Sequence, residues 1–140
     1  MDIQAFIKDY WHKIAVQDRL GLAEMFTEDA IIRWHNTNEE FTREEFIKAN
    51  CDYPGEWHGN VERIEINEDY ILTISHVWSA DQSFHVCSFF IFEGNQICKL
   101  DEYWGDDGEA PQWRQQLKIG RKLSLIHILP SSLIFIIHGS

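Results

Sequence analysis

Glu102 is the residue of this chain best suited to moving a proton. It stands in the stretch 99–104, where Leu100, Glu102 and Trp104 alternate with Lys99, Asp101 and Tyr103. Successive side chains of a strand point to opposite faces. Lys99 and Asp101 belong in water, so Leu100, Glu102 and Trp104 are expected to point inward. A carboxylate among Leu100, Trp104, Phe90 and Trp34 loses hydration. That raises its pKa towards neutrality and suits it to acid/base work near pH 7. The same carboxylate could instead be satisfied by Asn36, Asn50 or Ser88, or face outward if the register slips by one residue.

Aromatic residues supply the second chemical signal. Six Trp, nine Phe and four Tyr in 140 residues must fill the core or line a cavity, since each ring buries roughly 150–250 Å². Taken singly, such residues are core. Grouped around a few polar atoms, they make a small-molecule site. The candidate ligand contacts are Tyr10, Trp34, Phe46, Tyr53, Trp57, Phe90 and Trp104, with Asn36, Asn50 and Ser88 to orient a ligand. The expected ligand is a small apolar molecule.

His76, His85 and Cys87 fall on one strand face and, with His35, could in principle approach a zinc ion. No ligand-type spacing supports this, and that face reads as an interface, so no metal is expected. The chain carries no glycine-rich phosphate loop, nucleophile elbow, CxxC or HExxH. No cofactor is expected either.

The chain length is that of one ordinary domain. A formal charge of −11 and a pI of about 4.9 repel phosphate backbones and anionic membranes, which argues against nucleic acid as a partner. Cys51, Cys87 and Cys98 are an odd set without redox spacing, which suits a reducing cytoplasm. The start MDIQAFIKDYWHK lacks the basic, then apolar, pattern of a signal peptide, and no run of about 18 apolar residues suggests a membrane span. Residues 121–140 differ from the rest: they hold no acidic side chain, and Pro130 interrupts their apolar pattern. They include LSLIHI, which one frame of a common sequencing-library adaptor would encode. We read 1–120 as the domain and 121–140 as an apolar tail, artefactual or disordered. The rival reading is a native C-terminal strand or partner-binding segment.

These candidates need elements to position them. Ile3, Phe6, Ile7, Tyr10, Trp11 and Ile14 trace one face of a helix from a cap at Asp2 to about Gln17. Asp18 caps a second short helix carrying Leu22, Met25 and Phe26. The period then becomes two, with Ala30, Ile32, Trp34 and Asn36 on one face. Thr42–Glu45 is a capping box between Phe41 and Phe46, and starts a third helix running to about Asn50. Strands are expected over 57–66, 70–79, 83–93 and 96–104, with turns at 67–69, 80–82 and 94–95. The turn near Asp81-Gln82 would pair Val77 with Val86 and Ser75 with Ser88. Ser75, Val77, Val86, Ser88 and Phe90 would then share one face, and His76, Trp78, His85, Cys87 and Phe89 the other. Helices followed by an antiparallel meander are an α+β signature.

This order resembles the nuclear transport factor 2-like superfamily, closest to its SnoaL-like branch, over about residues 3–115. The stretch FTEDAIIRWHNTNEEFTREEFIKAN, residues 26–50, is similar to that family's phenylalanine, acidic pair, strand, loop and helix. GNQICKLDEYWGDD, residues 94–107, is similar to its final strand. The resemblance implies a cone of three N-terminal helices on a curved, mostly antiparallel sheet, with a cavity inside and a homodimer through the convex face. It includes ketosteroid isomerases, polyketide cyclases, epoxide hydrolases and members without chemistry, so it names no reaction. Glu102 matches the epoxide-hydrolase Asp before the Tyr. Ile32, Trp34, Ser75 and Val77 stand where that branch carries its polar residues, which disfavours epoxide hydrolysis. Tyr10 and Tyr53 could serve as the oxyanion donors of an isomerase. Two readings follow: a binding module for a small apolar molecule, or an isomerase, cyclase or dehydratase using Glu102.

Overall fold

A computed structural model describes residues 1–123 of the chain. Most of the expected tail, 124–140, therefore lies outside the described residues. Helix α1, Ile3–Val16, starts where the Asp2 carboxylate accepts the Ala5 N–H, and buries Ile7, Tyr10, Trp11 and Ile14 as its apolar spacing requires. Helix α2, Arg19–Glu24, is capped by Asp18, which accepts from Gly21. Six strands and two further helices follow: β1 Phe26–Trp34, β2 Glu39–Thr42, α3 Arg43–Cys51, β3 His58–Ile66, β4 Ile71–Trp78, β5 Ser83–Glu93, β6 Gln96–Asp106 and α4 Gln112–Gln116. The Thr42 capping box is complete, with Thr42 and Glu45 each accepting from the other's backbone.

The strands form one open sheet in the order β2-β1-β6-β5-β4-β3. Every pair is antiparallel except β1 with β6. Helices α1 and α3 contact the sheet at β3 and β1. One sheet face is thus covered, and it carries Ile32, Ile64, Ile71, Val77, Val86, Phe90 and Leu100 into the core. The α+β architecture matches the sequence expectation, and the alternation of buried and half-buried residues along β4 holds without a break.

Three local expectations change. The β4–β5 hairpin pairs Val77 with Phe84, Ser75 with Val86 and Thr73 with Ser88, two residues from the expected register. Its turn is centred on Ala80-Asp81, closed by the Ser79 N–H donating to the Gln82 carbonyl at 2.8 Å. A shift of two keeps the parity, so every side chain stays on its expected face. Phe26 opens β1 and does not end α2. Finally, β2 and α4 are additional: β2 is four residues of Glu, Glu, Phe and Thr, too short to show a periodic signal.

The C-cap of α1 links fold to site. Gln17 is left-handed at φ 58, and its Nε2 donates to the carbonyls of Asn50 at 2.9 Å and Tyr53 at 2.7 Å. This ties the end of α1 to the end of α3 and the loop beyond it. Gln17→Ala removes both bonds while keeping a non-glycine residue in that conformation. It is expected to cost about 1–2 kcal/mol, measured by urea denaturation.

Candidate functional site

Strand parity and register bring Glu102 to the centre of the covered face. Trp34 on β1 pairs with Glu102 on β6, Glu102 with Ser88 on β5, Ser88 with Thr73 on β4, and Thr73 with Ile64 on β3. One row across the sheet therefore reads Trp, Glu, Ser, Thr, Ile. Glu102 is 1% exposed. Ser88 Oγ donates to its Oε2 at 2.6 Å, and Trp34 Nε1 donates to its Oε1 at 3.1 Å.

Burial dominates the electrostatics of this carboxyl. Removal from water raises its pKa to about 7, against the hydrogen bonds from Ser88 and Trp34 and the nearby Trp104 indole, which favour the charged form. Among the described residues, the Trp104 indole Nε1–H itself reaches no acceptor in good geometry. The Tyr10 hydroxyl is buried beside this charge without a protein partner. Its pKa is pushed well above the usual value by burial, with Glu102 adding to the effect.

The aromatic residues open a cleft at one end of this row. A cavity of about 640 Å³ is lined by Trp34, Tyr53, Phe84 and Trp104, with Asn36 and Asp106 among its polar groups. Asn50 lines it too, and among the described residues no basic side chain does. A second chamber of about 50 Å³ shares Asn50, Tyr53, Phe84 and Trp104 and adds Trp57. The walls brace one another: Trp34 and Phe84 each meet Trp104 edge-on, at 6.3 and 6.0 Å between ring centres. Tyr53 stacks on Trp57 at 5.2 Å.

The candidates therefore divide. Trp34, Asn36, Asn50, Tyr53 and Trp104 line the larger cleft, and Trp57 the smaller chamber. Tyr10, Phe46, Ser88 and Phe90 are fully buried and line neither. Glu102 lines neither as well. Trp34 stands at the junction, since its N–H holds the carboxylate while the residue lines the cleft. The two Asn side chains are already engaged: Asn36 Oδ1 accepts the Trp104 backbone N–H at 2.8 Å, and Asn50 Nδ2 donates to the Ile14 carbonyl at 3.1 Å. Phe84 and Asp106 are cleft residues that sequence reasoning missed. Both keep the parity of Val86 and Trp104; Phe84 already lay within the expected strand 83–93, and Asp106 lies two residues past the expected end of the last strand.

A buried carboxyl with a pKa near 7 leaves a thermodynamic trace. Its folded pKa lies above its unfolded value of about 4.5, so the folded state is favoured by protonation. That advantage is complete below pH 4.5 and is lost as pH rises to 7. Glu102→Gln abolishes the dependence. Relative to wild type, the variant should gain about 3 kcal/mol between pH 4.5 and pH 8. Urea denaturation of both proteins at the two pH values measures this, and a constant difference would refute the assignment.

No protein-family model matches the sequence, and no curated protein matches it. Solved structures do. A candidate ketosteroid isomerase from Kribbella flavida is similar at TM-score 0.71 and 20% identity, covering 86% of this chain and 90% of that one. A nuclear transport factor 2-like protein of unknown function from Burkholderia xenovorans follows at TM-score 0.65 and 20% identity, over 82% and 90% of the two chains. An epoxide hydrolase from M. tuberculosis described as LEH-like matches at TM-score 0.59 and 10% identity, over 97% and 94%. At such identities the likeness carries the backbone and not the reaction, and on that ground this chain has the nuclear transport factor 2-like fold.

Proposed function

We propose that this protein binds a small apolar molecule in the cleft of Trp34, Tyr53, Phe84 and Trp104, without turning it over. The carrying observation is a cavity of about 640 Å³ walled by four aromatic side chains, the size and lining of a small-molecule site. Asp106 and the amides of Asn36 and Asn50 are the polar groups able to orient a ligand there. Similar-fold proteins described as a candidate ketosteroid isomerase and a candidate SnoaL-like polyketide cyclase support a small-molecule role.

Binding without catalysis is favoured by where Glu102 sits. A general base must come within hydrogen-bond reach of its proton, about 2.6–3.2 Å. Glu102 is already engaged by Trp34 and Ser88 and does not line the cleft. The specific observation for the enzyme reading is its pKa of about 7, which suits an isomerase, cyclase or dehydratase step. In that reading Trp34 must swing aside to expose the carboxyl.

The same proposal includes a homodimer through the uncovered sheet face, where Ile31, Tyr70, Ile91 and Tyr103 are exposed. Sedimentation of the wild type against Tyr103→Glu tests it. The wild type is expected at twice the chain mass and the variant as a monomer.

Tryptophan fluorescence of the full chain, titrated with small apolar carbonyl compounds and lactones, tests the binding reading. Saturable change is expected in the wild type. Tyr53→Ala, at a 42% exposed residue whose loss the core tolerates, should weaken binding about tenfold. Glu102→Gln should leave affinity within about twofold. Turnover of a bound compound that disappears in Glu102→Gln would replace this reading with the enzymatic one.

A further inference from the structure

We propose that Glu62, His76 and His85 form a binding site for a divalent transition-metal ion of the zinc class, on the sheet face opposite the aromatic cleft. One ligand atom from each of the three residues lies within 4.8 Å of the other two. His76 on β4 pairs directly with His85 on β5, so the two imidazoles project side by side. Their rings are parallel within 9° at 4.8 Å. Imidazole nitrogen and carboxylate oxygen are the donors zinc accepts, at bond lengths of about 2.0–2.2 Å. A tetrahedral shell of such bonds separates its donors by roughly 3.3 Å, so side-chain rotation alone would close this set around an ion.

Two features of the backbone assemble the group. Glu62 is the extra residue of a bulge in β3, where the register with β4 shifts between Val61 and Arg63. Bulges re-aim a side chain, and here the Glu62 carboxylate comes within 3.2 Å of His85 Nε2. On the other side, His85 pairs with Gly105, which presents no side chain, and the chain beyond it brings Asp107 in. Asp107 Oδ1 lies 2.5 Å from His85 Nδ1. This leaves Nε2 as the nitrogen that faces Glu62. A carboxylate fixing the far nitrogen of a ligating histidine is the usual support of a metal-bound imidazole.

Two carboxylates bracket the His85 ring, Glu62 at Nε2 and Asp107 at Nδ1. Burial pulls the His85 pKa down, but the Asp107 hydrogen bond and the Glu62 charge outweigh it, and the net shift is upward. Burial would raise Asp107, yet hydrogen bonds with Ser83 and His85 hold it below the usual range. His76 shares this carboxylate, with Nε2 at 2.8 Å from Ser83 Oγ and 3.6 Å from Asp107 Oδ2.

The residues differ from those that sequence reasoning placed together. Cys87 lies on the same face but outside the set, and His35 belongs elsewhere, 2.7 Å from Asp101 and stacked on Tyr103.

The experiment is titration of the full chain with zinc ion alone against a chromophoric chelator, repeated with cobalt(II) while its absorption is recorded. One equivalent should bind, and the cobalt spectrum should show no thiolate charge-transfer bands. His76→Ala and His85→Ala should each lose at least tenfold in affinity, and Asp107→Asn about tenfold, with unchanged near-ultraviolet circular dichroism. Equal binding by a His76→Ala/His85→Ala double variant, or thiolate bands in the cobalt spectrum, would overturn the site. Absence of binding by the wild type would do the same and leave the cluster as an ion-pair group.

Discussion

Burying a carboxyl group is costly unless its charge is neutralised or its oxygens are hydrogen-bonded, and this fold buries Glu102 at its centre. The protein meets that constraint in both ways. Ser88 and Trp34 donate to the two oxygens, and the pKa of about 7 lets the group hold a proton at little expense near neutrality. The parallel β1–β6 pairing is what makes this possible. It sets Trp34 directly beside Glu102, with the His35 N–H donating to the Glu102 carbonyl at 3.0 Å. Elsewhere β6 has an antiparallel neighbour, β5, which supplies Ser88.

From that arrangement the cleft follows. Trp34 is drawn inward by its hydrogen bond to Glu102, and its ring meets Phe41 at 4.7 Å and Trp104 at 6.3 Å. Trp104 is held in turn by Asn36 through its backbone N–H. The aromatic wall of the cleft and the buried acid are therefore one structure seen from two sides. The intrinsic fluorescence of these residues and the titration of Glu102 should be coupled for the same reason.

The two faces of the sheet carry different residues because strand parity separates them. On β5, Val86, Ser88 and Phe90 are buried against the helices, while His85, Cys87 and Phe89 point the other way. The acid and the aromatic rings occupy one side and the paired histidines the other. A bulge at Glu62 and a glycine at 105 add to the second side what parity alone does not supply.

The periodic signals along the chain determined the helices α1 and α3, their caps, the order of the main strands and the face on which each side chain lies. Those are local properties: a capping box needs four residues, and an alternation of two needs only the strand itself. Inward placement of Glu102 was legible in this way from the alternation of Leu100, Glu102 and Trp104 with Lys99 and Asp101. Tertiary structure decided what depends on pairing between distant segments. The β4–β5 register moved by two, which matched Thr73 and not Ser75 with Ser88, because no parity signal distinguishes registers two apart. It also decided that Tyr10, Phe46, Ser88 and Phe90 are core while Phe84 and Asp106 reach the cleft. The grouping of Glu62 with His76, His85 and Asp107 comes from three strands and the segment after β6, and a bulge has no mark in a single sequence.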